Sequence, residues 1–514
     1  MKISSIVIVG SEIESWLTAS ILSKRNSNLQ ITIIETEKRR ETGVGKTSAT
    51  NINQLLNMFY EYNETWMKKC DATYNLGFEY YNFEGASSYF QQPFGPVAIP
   101  QSEKFTLDYV PLFDLKKIYP NSINNNDILH FISPISFMIT RNKMSQSISE
   151  LTEDAREIPI QHITSYHFNA NKLIDLIRES YQNNITVYDA TNLEFVVHSD
   201  KKQNIESITI KDLIRTKIVG DLYIDCSSNG VLSRMNTFIK AESLINDRTI
   251  HFSVPFENDA SRIKNLKNST SLVALENGSA KKIPLWNSCE FEYNYSSKFT
   301  NKEAMIGHLN SEFSELKIYE TEGAQGYFEN SLINNVYSIG DSYANIESLS
   351  SDSFDLIIQG CFELLQSMTQ TEFSISKFDR YRINQNYREY CKKHINLVSY
   401  TYLLSNREDT PYWKYVTSEE NFEKNIDLYK EFYQIKQSNM LMRDPILLSF
   451  ALGYNHADPY VDYDISSMSK NDSGLREHIE HLYQGYKSYL DASEKRTEGF
   501  SDTYHYTVDH VYSQ

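Results

Sequence analysis

The first 35 residues constrain this chain most. Residues 3–9, ISSIVIV, are a short β-branched run that predicts a buried strand, and Gly10 ends it. Trp16, Leu17, Ala19, Ile21 and Leu22 follow at a spacing suited to a helix lying on a sheet. Residues 31–35, ITIIE, predict a second buried strand ending in an acid. Strand, glycine turn, helix, strand and terminal acid is the layout of a dinucleotide-binding unit. Its turn offers backbone amides to a pyrophosphate, and its acid takes a ribose hydroxyl. An α/β class is expected, with Gly10 and Glu35 as candidate cofactor contacts.

Residues 43–50, GVGKTSAT, invite a second phosphate reading, because Gly45-Lys46-Thr47 resembles the end of a P-loop. That motif is G-x-x-x-x-G-K-[ST], and its first glycine would fall at position 40, which is Arg40. A side chain there crowds the turn that aims the amides. The segment also follows the second strand, and no apolar strand ending in Asp clearly supplies a magnesium partner. The expectation is no P-loop, with Lys46 on a turn.

Downstream, residues 48–68 read as a helix, and residues 78–120 as aromatic-rich loops and edge strands. Residues 167–180, HFNANKLIDLIRES, read as an amphipathic helix. Residues 185–212 alternate like an antiparallel meander. DLYIDCSSNG (221–230) and NVYSIGDS (335–342) each read as a strand with a turn, and the pattern beyond about 371 is mainly helical.

Composition excludes several functions. The 514 residues carry 50 basic and 67 acidic side chains, a net charge of −17, which repels nucleic acid and anionic membrane. The five cysteines are scattered and never form C-x-x-C, which fits a reduced compartment and no metal site. The start is too quickly charged for a signal peptide and no apolar run reaches about 18 residues, so a cytoplasmic protein is expected. His478 and His481, at i, i+3 in REHIEHLY, read as a solvated helix face.

The opening strand, ITIIE, GVG at 43–45, YHFNA at 166–170, YIDCS at 223–227, YSIG at 337–340 and REDTPYW at 407–413 occur in the order and spacing of the flavin-dependent tryptophan halogenases. The resemblance runs from residue 1 to about 460. It implies a monooxygenase-like flavin module with a β-meander over residues 1–370, in which 81–150 insert toward the substrate side. A mainly helical substrate-type module over 371–514 packs on it. Active members of that family use reduced FAD and oxygen to make hypohalous acid, which travels down a tunnel to a lysine beside the indole. Gly43, Gly45 and Lys46 fall on the family's flavin-side loop. Asp341, after Ile339-Gly340, resembles the Gly-Asp pair that holds the ribityl chain in flavin hydroxylases, and Phe94, Gly95 and Leu441 fall in the substrate cleft.

The chain departs from the family at four points. The G-x-G-x-x-G turn is Gly10-Ser11-Glu12-Ile13-Glu14-Ser15, so Glu12 stands where the backbone should meet the pyrophosphate and Ser15 where helix meets strand. Counted from Trp66-Met67, the catalytic lysine position is Asn75. The catalytic glutamate position is Ser350, with Asp352 and Ser353 at the halide-holding pair. W-x-W-x-I-P has become Ser279-Ala280-Lys281-Lys282-Ile283-Pro284, and the Trp-rich segment near 440 carries Leu441 and Met442. No intact catalytic set, no metal and no bound cofactor are therefore expected, with FAD the one cofactor to consider. The implied role is a partner or regulatory subunit for an active flavoprotein or another protein, or a binder of a small aromatic molecule or peptide. The enzyme alternatives are a FAD-dependent oxidoreductase on tryptophan or an aromatic substrate, with rearranged residues, and a flavin-independent catalyst in the old cleft.

Overall fold

The computed structural model describes residues 2–48, 52–53, 55, 64–95, 101–102, 105–106, 115–150, 159–181, 184–201, 203–228, 230, 232, 236–312, 316–349, 353–370, 373–437, 445–455 and 472–513. The class is α/β. The expected first unit forms: strand Ser5–Val9, helix Ile13–Arg25 and strand Gln30–Glu35. The two strands pair in parallel with Val7 opposite Thr32 and Ile8 opposite Ile33. They sit in a six-stranded sheet ordered Ile185–Asp189, Gln30–Glu35, Ser5–Val9, Leu222–Asp225, Val336–Ser338 and Leu332–Ile333. The last strand alone is antiparallel to its neighbour. Nearly every side chain of the Ile13–Arg25 helix is buried, because it lies between this sheet and the helices Ala170–Tyr181 and Ser353–Gln370. Thr18 on that helix meets the thiol of Cys361 at 3.2 Å.

A second, seven-stranded sheet runs Tyr319–Glu322, Arg248–Pro255, Ser288–Tyr295, Gly278–Pro284, Thr270–Leu275, Gly77–Tyr81 and Tyr89–Pro93. A small sheet of Gly45–Thr47, Ser165–Asn169 and Thr73–Asn75 joins the two. The helical part lies against the second sheet through the segment 407–413. Arg407 grips Asp409 with two hydrogen bonds, of 2.9 and 2.7 Å, and lies 4.5 Å above the Trp413 ring. Trp413, fully buried, donates to the Leu275 carbonyl at 2.8 Å, and Thr410 donates to that of Glu276. This segment fastens the helical part to the sheet.

Two local readings change. Ser165–Asn169 is a strand, so the amphipathic helix begins at Ala170. Ile185–Asp189 pairs in parallel with Gln30–Glu35, and the antiparallel meander is only Phe195–Ser199, Ile205–Ile210 and Lys217–Ile218. A local apolar run does not report which neighbour a strand will take. Asn75 and Glu79 lie on successive strands, and Ser269, Tyr81 and Tyr89 donate to the Glu79 carboxylate. Of the helix expected over 48–68, Thr65–Lys69 is helical, with Trp66 and Met67 buried.

Candidate functional site

Gly10 ends the first strand with φ +142, where a Cβ would lie 2.5 Å from the Cys226 carbonyl and 2.6 Å from Ser15 Oγ. The turn is therefore already filled by the serine at the third glycine position. Glu12 caps the helix Ile13–Arg25 with extended backbone, and its carboxylate accepts from the Arg40 amide at 3.4 Å. Glu14 is 7% exposed and lies along Gly340, whose φ is +69; a Cβ on Gly340 would meet Glu14 Cγ at 2.5 Å. The Gly340–Ser342 turn is thus occupied by a carboxylate side chain. Asp341 on that turn is exposed and 3.9 Å from Arg40, whose guanidinium also lies 5.0 Å from the Tyr319 ring.

Burial raises Glu12, and Arg40 and Lys46 pull it back. Glu14 is pushed up to about 8 by burial and by the Asp341 carboxylate, against the pull of Lys46. In the fold Glu14 therefore keeps its proton where the unfolded chain has already lost it. Native protein binds the extra proton between pH ~4.5 and about 8, so stability falls as the pH rises across that window. Glu14→Gln is expected to flatten this fall and to raise Tm at pH 8 relative to the native chain. Thermal denaturation at pH 5, 6.5 and 8 checks it.

Glu35, at the ribose position, is committed elsewhere. Its Oε1 accepts from Trp16 Nε1 and from Arg178 Nη1, both at 3.1 Å, and Arg178 also lies 4.9 Å above the Trp16 ring.

Gly45–Thr47 is a strand that follows a bend at Gly43, φ +66, which removes the phosphate-loop geometry. Gly45, Lys46 and Thr47 pair with Asn169, Phe168 and His167. Gly43 packs on His251 and Gly45 on Glu290, with space for no Cβ at either. Lys46 is half-buried, and its charge is felt by Glu12, Glu14 and His251.

Asn75 is fully buried in a web of neutral hydrogen bonds. Its Nδ2 donates to Thr47 Oγ1 at 2.8 Å, its Oδ1 accepts from the Gly77 amide, and Thr47 meets Thr270 at 3.1 Å. His167 bridges Thr73 and Thr270 and is held down to about 3 by burial and by Lys281, so it is neutral. Phe94 packs edge-on to Phe78 at 5.4 Å, and Gly95, φ +88, lies against Ile135. Ser350 and Leu441 lie outside the described residues.

A buried centre escaped the sequence reading. Glu347, three residues before Ser350, takes hydrogen bonds from Tyr402 and from Ser279 at 3.0 Å on Oε1, and from Asn246 at 3.0 Å on Oε2. Tyr412 donates to the other end of Asn246 at 3.1 Å. Burial pushes Glu347 up to about 7. Beside it, Lys281 is fully buried, donating to Ser348 at 2.7 Å and standing 3.8 Å from Glu292. Its signal in the sequence is the acid in Ile346-Glu347-Ser348. The structure thus joins Gly10, Lys46 and Asp341 around one helix end. It sets Glu35, Asn75 and Phe94 apart from them, each in its own packing.

The comparisons agree with this architecture. The tryptophan halogenase family model matches residues 5–454. Tryptophan 7-halogenase RebH of Lentzea aerocolonigenes is 23% identical over 461 residues, covering 84% of this chain and 82% of RebH. Tryptophan 6-halogenase ThaL of Streptomyces albogriseolus is 22% identical, covering 80% and 78%. Among solved structures, apo VirX1 superposes with a TM-score of 0.86 at 23% identity over 100% of both chains. Xcc4156, a flavin-dependent halogenase from Xanthomonas campestris, gives 0.79 at 17% identity over 99% of both. With the family model spanning most of its length, the chain belongs to the tryptophan halogenase family.

Proposed function

We propose that this protein is a flavin-free member of the halogenase fold, acting as a non-catalytic partner, regulatory or ligand-binding subunit in a natural-product-type pathway. The observation that carries the proposal is Glu14 seated in the Gly340 turn with Glu12 at the helix end beside it. FAD would need both places for a pyrophosphate and its linking chain. Helix N-termini attract anions, and here Glu12 stands at that end of the helix. Glu35 has its Oε1 taken by Trp16 and Arg178, which weakens the ribose contact as well. The residues present do not fit the cofactor. The lysine that would carry the halogen is an amide held by Thr47, which has no ammonium to offer.

A FAD-dependent oxidoreductase acting on tryptophan, an indole or another aromatic substrate is the competing reading. Arg40 and Lys46 favour it, because two cations stand next to the first turn. That reading requires Glu14 to leave its buried position. Protein purified from cells is expected to be colourless and to release no flavin on heat denaturation. A yellow protein that releases one flavin per chain would overturn the proposal.

A further inference from the structure

The six-stranded sheet ends on Ile185–Asp189, which pairs with Gln30–Glu35 and, among the described residues, with no other strand. The neighbouring hydrogen bonds fix which of its backbone groups face outward. The Ala190 amide donates to the Glu35 carbonyl at 2.8 Å, and across Gln30–Glu35 the Gly10 amide donates to the Ile34 carbonyl at 3.0 Å. Bonding alternates from side to side along a strand. Thr186 and Tyr188 therefore turn their amides and carbonyls to Gln30–Glu35, and Ile185, Val187 and Asp189 turn theirs away from the sheet. Thr186, Val187 and Asp189 are exposed.

Such an edge is a template for another strand, and proteins usually block it with proline, lysine, a bulge or brevity. Here five residues, ITVYD, carry none of these. The one charge, Asp189, stands at the end and accepts from the amide and hydroxyl of Thr191 at 3.0 and 2.8 Å. An apolar margin lies beside the edge. Of thirteen exposed large hydrophobics among the described residues, six fall within 187–219: Val187, Leu193, Val196, Leu213, Ile214 and Val219. Leu193 follows the edge strand directly. The Lys211 amide donates to the Glu194 carbonyl at 2.7 Å, which brings the turn carrying Leu213 and Ile214 next to it. Asp212 holds that turn by accepting from the amides of Ile214 and Thr216. Exposed apolar side chains gathered beside an open edge mark a protein interface.

The edge is complementary to itself. Antiparallel pairing about a two-fold axis at Val187 sets Val187 against its own mate, Thr186 against Tyr188 and Ile185 against Asp189. No like charges meet, and β-branched and aromatic side chains pair. A five-residue strand pair alone falls short of the roughly 1,200 Å² of a stable interface, so the occupant must also cover the apolar margin. A second copy brings a folded body and a margin of its own; a lone peptide does not. The net charge of −17 opposes association only weakly, because charges more than about 8 Å apart are screened at physiological salt and the edge itself holds one acid. We infer that two copies of this chain associate through Ile185–Asp189, as an antiparallel pair that joins their two six-stranded sheets into one of twelve strands. The pairing goes beyond the functional reading above and holds whether or not flavin binds.

The test uses the full chain, with size exclusion and light scattering over about 1 to 100 μM, where a dimer is expected. Val187→Pro removes an amide that a single copy turns to solvent. It is expected to keep the native circular dichroism and to raise the dissociation constant at least about 100-fold. Val187→Cys is expected to form an intermolecular disulfide on mild oxidation, because facing residues of such a pair stand about 5.5 Å apart at Cα, within disulfide reach. The native chain, whose Cys289 is half-exposed, is the control. If Val187→Pro does not fold, Val187→Asp, which sets two carboxylates together at the axis, is expected to separate the copies instead. A chain that is monomeric at the highest concentration overturns the inference. So does a dimer that the folded variant leaves intact, or one that Val187→Cys does not cross-link. Flavin content of the same preparations reports on the flavin-free reading separately.

Discussion

Replacing Glu12 and Ser15 by Gly and Glu14 by Ala together is expected to raise FAD affinity at least about 100-fold, to the micromolar range. The reason is electrostatic and steric at once. A carboxylate about 5 Å from a phosphate, at an effective dielectric of about 20, costs on the order of 3 kcal/mol, and about 1.4 kcal/mol is tenfold in affinity. Glu12 at the helix end supplies that charge, whereas Glu14, which keeps its proton at pH 7, obstructs sterically by filling the Gly340 turn. Ser15 Oγ crowds Gly10, so glycine at 15 restores the close approach of helix to strand. Glu12→Gly with Ser15→Gly alone is expected to gain less, because Glu14 remains. Arg40 and Lys46 would be released from their acids to face the phosphates. If the triple variant folds and gains nothing, the first turn has a shape that glycine does not repair, and the assignment of the loss to these side chains is wrong.

Glu347→Ala is expected to destabilise the fold by about 3–5 kcal/mol, while Glu347→Gln costs less than about 1.5 kcal/mol. Alanine removes the acceptor shared by Tyr402, Ser279 and Asn246, all buried, and leaves them only the hydrogen bonds they make with one another. Glutamine keeps the shape and one acceptor oxygen. Tyr402 and Tyr412 come from the helices Lys377–Leu403 and Pro411–Val416, whereas Ser279 belongs to the seven-stranded sheet. The carboxyl therefore ties helices to sheet, and its loss is expected to show as a lower urea midpoint at unchanged m-value. Equal losses for the two variants would mean that the side chain acts by volume alone.

Much of the scaffold was legible in the sequence, for physical reasons. Strands buried on both faces read as apolar, β-branched runs, and Ser5–Val9 and Gln30–Glu35 do so. The glycine turn and the acid at 35 were legible because backbone geometry demands particular residues there. Pairing was less so. Ile185–Asp189 joins the parallel sheet, and Gly45–Thr47 became a strand only because Ser165–Asn169 lies beside it. Glu12, Ser15 and Asn75 were legible as departures from the glycines and the lysine that the resemblance implies at those positions. The replacements around them were not. That Glu14 turns inward onto Gly340 depends on the Val336–Ser338 strand, more than 300 residues away in sequence. Glu347 needs Tyr402, Asn246 and Ser279 brought together from three distant segments before it reads as more than a loop acid. Periodicity carries no information about such convergence.

Titration of the unmodified chain with FAD at pH 7, followed by quenching of flavin fluorescence, tests the central claim most directly. The filled first turn predicts no saturable quenching at FAD concentrations well into the micromolar range. Stoichiometric, saturating quenching with micromolar affinity would contradict it, and would mean that Glu14 leaves the Gly340 turn to admit the cofactor.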